Sequence, residues 1–86
     1  MLRSQSHPDR VERRTVEQTE AKISLYTSFA HPSYEKRIIV EHAGNDWTFG
    51  IDSDETASLM SAVGNDEIPE WVVLSFQALG VKVEDS

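Results

Sequence analysis

The chain has 86 residues, a formal net charge of −7, no cysteine, and 38% hydrophobic against 27% charged residues. That length holds one domain at most and leaves little apolar surface to bury, while the absence of cysteine excludes disulfides, thiolate metal sites and cysteine nucleophiles together. No apolar run reaches membrane-spanning length and none follows the arginine of MLRSQSHPDR, so a cytoplasmic address is the expectation.

Charge is unevenly placed. Residues 1–14 hold four arginines against two carboxylates, and residues 15–86 hold four basic residues against thirteen carboxylates, a net of −9. The expected organisation is a mobile, mildly basic tail over 1–14 followed by a single compact acidic domain over 15–86. Between Ile38 and Val81 there are eight carboxylates and no Lys or Arg, a field that repels phosphate backbones. The same acid excess, with only three lysines, suggests adaptation to a salty cytoplasm, in which case the melting temperature rises with salt.

From Thr15 the pattern alternates, with Ala21, Ile23, Leu25, Thr27 and Phe29 on one side and Lys22, Ser24, Tyr26 and Ser28 on the other, so period two predicts a strand over about 16–29. Pro32 ends it in a loop. The β-branched run RIIVEHA predicts a second strand over 34–43. GND at 44–46 marks a tight connection, after which Trp47, Phe49 and Ile51 alternate with polar neighbours in a third strand over 46–51. The three form an antiparallel meander.

In DSDETASLMSAVG the period changes. Asp52 or Ser53 suits a helix N-cap, Asp54 and Glu55 suit the first turn, and Gly64 suits the C-terminal cap. A helix over about 53–63 is predicted, with Ala57, Met60 and Val63 facing the sheet. Pro69 and Gly80 then bracket a second helix over 69–79, against a rival reading as a strand with Val72, Leu74, Phe76 and Ala78 on one face. VKVED predicts a short C-terminal strand, 81–84. The fold class so read is α+β, a three-stranded meander packed by two helices.

On a helical wheel the second helix is apolar almost all round, with only Glu70 and Gln77 making a narrow polar stripe. Such a helix needs cover on more than one side. Trp71, Val73, Leu74 and Ala78 are therefore the candidate protein-interface residues, set against the plainer reading that the helix is core. Trp47 carries the same two readings, core or contact.

Catalytic motifs are absent: no GxSxG, no glycine-rich phosphate loop and no HExxH occurs. DSDET starts like a calcium loop, but Thr56 and Val63 stand where further ligands belong. His31 and His42, with Glu35 and Glu41, are the candidate metal pair, and His31 with Ser33 and Tyr34 the candidate acid–base group. Solvated surface side chains are the simpler reading of both. Neither catalytic residues, nor a metal site, nor a cofactor is assigned.

Two functional classes remain. The first is a small acidic, non-enzymatic interaction or regulatory module, homodimeric or bound to another protein, which presents an apolar helix face or a sheet edge. The second is a nucleic-acid-associated regulator using helices 53–63 and 69–79 as a helix-turn-helix, with Arg3, Arg10, Arg13 and Arg14 on phosphate. The acidic body, with Asp66, Glu67 and Glu70 at the start of the supposed recognition helix, argues against it.

Overall fold

The computed structural model describes residues 8–28, 30–64 and 67–84. Its elements are β1 (Arg10–Val16), β2 (Thr19–Tyr26), β3 (Lys36–His42), β4 (Asn45–Ile51), β5 (Thr56–Val63), α1 (Glu70–Ala78) and β6 (Lys82–Val83). The strands form one curled sheet in the order β1-β2-β3-β4-β5-β6. The first five pair antiparallel with their neighbours, and β6 pairs parallel to β5. A parallel pair needs a long crossover, and α1 supplies it.

This arrangement corrects the three-stranded meander with two helices. The strand read over 16–29 is β2, Thr19–Tyr26, and it is the second arm of a hairpin whose first arm is β1. Val16 and Thr19 pair across Glu17 and Gln18, both at positive φ (51° and 70°), as a two-residue turn that follows the sheet's twist requires. Neither residue is one that usually adopts this conformation, so the turn carries no sequence signature. Residues 10–14 of the expected tail therefore belong to β1, and residues 1–7 lie outside the described residues. Phe29, read as the end of the strand, also lies outside them. The β3–β4 turn has the same form, through Ala43 (φ 51°) and Gly44 (φ 82°), and pairs His42 with Asn45.

The larger correction is at 53–63, where a helix was expected and β5 stands. Asp52 does accept from backbone N–H groups, those of Asp54 (2.9 Å) and Thr56 (3.1 Å), but the turn it closes is a strand connection. The same side-chain bonding serves a helix start and an Asx turn alike. Thr56, Ser58, Ser61 and Val63 are indifferent helix formers. A bulge then imitates helical spacing: Thr48 pairs Ser61 while Phe49 pairs Leu59, so Met60 is the extra residue. The apolar positions 57, 60 and 63 thus fall at three-residue intervals without a helix beneath them.

One face of the sheet holds the core. Ala21 and Ile23 of β2, Ile38 and Val40 of β3, Trp47, Phe49 and Ile51 of β4 and Ala57 of β5 are buried there, with Val72 and Phe76 of α1 packed on them. Phe76 stands edge-on to Phe49, ring centroids 4.8 Å apart at 76°. Helix α1 lies between Pro69 (φ −66°) and Gly80 (φ +80°), the residues whose backbone preferences bracket it in the sequence. On the opposite face of the sheet the Tyr34 ring lies over Gly50, where any Cβ would come within 2.5 Å of the ring. The Arg37 guanidinium sits 4.4 Å from the Tyr26 ring centroid.

Candidate functional site

The curled sheet answers the question posed by the apolar helix. Val72, Ser75 and Phe76 of α1 are buried, and Trp71, Val73 and Leu79 are half-buried. Of the candidate interface residues, Trp71 packs inward, its ring 5.2 Å from His42 and 6.5 Å from Trp47, both close to perpendicular. Leu74 (55% exposed) and Ala78 remain on the solvent side. Trp47 is core, and its indole N–H has no hydrogen-bond partner among the described residues.

The arginines read as phosphate contacts are dispersed. Arg3 lies outside the described residues. On β1, Arg10 pairs with Glu12 at 2.5 Å and Arg13 approaches Glu20 at 4.0 Å. Arg14 donates to Ser75 Oγ on α1. The helix pair needed for a helix-turn-helix is replaced by a strand and a helix.

The histidines do not converge either. His31 lies in the β2–β3 loop, where its Nδ1 accepts from the Ser33 N–H at 3.0 Å and its ring stacks at 4.8 Å from Tyr34. His42 is at the far end of β3, and its Nε2 lies 3.1 Å from the Val16 carbonyl. A carbonyl only accepts, so Nε2 carries the proton. Among the described residues no group of three His, Asp or Glu side chains is placed to hold a metal ion, and no helix is long and apolar enough to cross a membrane.

The outer edge of β5 is different. β6 covers only its start, pairing Thr56 with Lys82 and Ala57 with Val83, and Glu84 then donates its N–H to the Ala57 carbonyl at 2.8 Å. The Ser58 hydroxyl bonds the Glu84 carboxylate at 2.7 Å, closing that end. From Ser58 to Val63 no strand pairs this edge among the described residues. Leu59 (36% exposed), Met60 (38%) and Val63 (60%) are, with Val11 and Leu74, the exposed large hydrophobics among the described residues. From Thr56 to Gly64 no side chain is ionisable. An open, uncharged, apolar edge is a template for strand pairing. The opposite edge, β1, carries Arg10, Glu12, Arg13 and Arg14, the kind of charge that deters it. The sequence signal for the β5 edge was the uncharged run TASLMSAVG, which the helical reading of 53–63 concealed.

Comparison with protein-family models, curated proteins and solved structures finds no match to this chain.

Proposed function

We propose that this chain is a small acidic, non-enzymatic interaction module that takes up a strand of another polypeptide along the outer edge of β5. The observation that carries the reading is the uncharged edge from Ser58 to Val63, unpaired among the described residues and bearing Leu59, Met60 and Val63. Main-chain hydrogen bonds supply the affinity in such strand addition, and side chains on alternate positions supply the specificity. The helix contributes Leu74 and Ala78 as a separate, smaller apolar spot. The reading places no chemistry on His31, His42 or the surface carboxylates.

The test is affinity capture with the wild-type chain, Met60→Lys and Leu74→Lys as baits. A bound chain that is lost with Met60→Lys and kept with Leu74→Lys supports the edge. A bound chain kept by Met60→Lys and lost with Leu74→Lys moves the interface to the helix face.

A further inference from the structure

We infer that the strand taken up at this edge is β5 of a second copy of the same chain, antiparallel to the first about a two-fold axis between Met60 and Ser61. The inference rests on the proposed function and adds the identity of the occupant. It follows from charge, register and closure.

Two copies of a chain of charge −7 repel wherever their carboxylates face each other. The run 56–64 is free of ionisable side chains, so two acidic copies meet there without setting like charges together. An edge-to-edge contact through β1 would instead bring Arg10, Glu12, Arg13 and Arg14 out of water, with desolvation opposing the contact.

The bulge selects the register. Antiparallel partners share a face of the sheet, and a slip of one residue exchanges the faces. Leu59 and Ala62 pair with the core-facing Phe49 and Trp47, whereas Ser58 and Ser61 pair with Gly50 and Thr48, and Val63 with Asp46, on the other face. The extra residue Met60 shifts the alternation by one. Self-pairing about Met60 and Ser61 sets Leu59 against Ala62 and Ser58 against Val63 of the other copy, so like faces match. It also spans the whole stretch from Ser58 to Val63 that is unpaired among the described residues. A shift of one residue would set Leu59 against Val63, on opposite faces. A bulge twists an edge away from an ordinary strand, and a second copy brings the same twist to the same point.

The pairing closes on itself. A two-fold contact uses the same surface of both copies and leaves nothing to propagate. The product is one sheet of twelve strands, six from each copy, ending on both sides in the charged β1. Repulsion between the two acidic bodies weakens as salt screens it, so the dimer tightens with salt.

The experiment is light scattering on the full chain over a dilution series at low and molar salt, with Met60→Lys, Val63→Lys and Leu74→Lys alongside and folding checked by circular dichroism. The wild type and Leu74→Lys are expected at twice the 9.7 kDa chain mass, and Met60→Lys at half of the wild-type value. Val63→Lys, at the most exposed of these positions, gives the same halving if Met60→Lys fails to fold. A wild type that stays monomeric at every concentration overturns self-pairing but leaves the edge reading to the capture experiment. A dimer that survives both edge substitutions overturns self-pairing at β5 and leaves the edge reading, again, to the capture experiment. Oxidation of the Ser58→Cys/Val63→Cys variant tests the register in a chain that has no cysteine of its own: a covalent dimer is expected, and its absence in a sample that scatters as a dimer overturns the stated pairing.

Discussion

Arg14 on the outermost strand donates to the hydroxyl of Ser75 on the helix, a link between side chains 61 positions apart. Ser75, only 3% exposed, in turn donates to the Trp71 carbonyl at 2.7 Å. The chain Arg14, Ser75, Trp71 holds the curled end of the sheet against α1. Arg14 gets there because antiparallel partners share a face: it pairs with Ala21, which is buried on the helix side.

A double-mutant cycle measures this link. Arg14→Ala and Ser75→Ala are each expected to lower stability, and the double variant to lose less than the sum, with a coupling of about 1 kcal/mol. Urea unfolding of the four proteins gives the value. Additive effects would mean that strand and helix are held by apolar packing alone.

Asp9 ties the start of β1 to the end of β2. Its carboxylate accepts from the Thr27 backbone N–H and the Thr27 hydroxyl, each at 2.8 Å. These bonds, the backbone one foremost, hold its pKa below the ordinary aspartate value. A lowered folded-state pKa favours the native chain above the unfolded value, and the advantage disappears as pH falls through the folded one. Asp9→Asn keeps an acceptor and removes the charge. The stability gap between wild type and Asp9→Asn is therefore expected to narrow as the solution is acidified from about pH 5 toward pH 2, followed by thermal melts across that range. A gap that stays constant would mean that the charge is immaterial.

Glu17 and Gln18 hold positive φ without glycine, a left-handed conformation that costs L-residues about 1–2 kcal/mol each. Gln18→Gly is expected to stabilise the chain by about 1 kcal/mol, less what glycine loses in entropy. For a domain of this size that raises the melting temperature by roughly 4–8 °C. A fall in melting temperature would show that Gln18 makes a compensating contact.

The unmarked turn at Glu17 and Gln18 also shows where the sequence ceased to be readable. Alternation along Ala21, Ile23 and Leu25 and along Trp47, Phe49 and Ile51 is visible because one face is buried and the other is wet. Pro69 and Gly80 mark α1 because each restricts or frees φ in a way few residues do. The hairpin at 17–18 has no such residue, so most of β1 reads as tail and β2 as a strand without a hairpin partner before it. At Asp52 the ambiguity is chemical, since an Asx turn and a helix cap use the same bond. At Met60 the bulge put apolar residues at helical intervals in a strand. That spacing also conceals the candidate site, because an edge exists there only if β5 is a strand, one that β6 pairs only as far as Ala57 among the described residues.

Trp71 separates core from interface on the helix. Its ring packs against Trp47 and His42, with His42 further held by the Val16 carbonyl, so it closes the end of the core beside the β1–β2 turn. Truncation removes that packing and opens the otherwise buried Trp47 indole to water. Trp71→Ala is expected to destabilise the chain by about 2–4 kcal/mol, at the low end for a large aromatic because the ring is only half-buried, and the remaining tryptophan is expected to emit further to the red. Leu74→Ala, one position from Val73 but on the solvent side, is expected to change stability by less than about 0.5 kcal/mol. Denaturant unfolding followed by tryptophan fluorescence reads both. A Trp71→Ala chain as stable as wild type would return Trp71 to the surface and make the helix face, rather than β5, the first place to look for a partner.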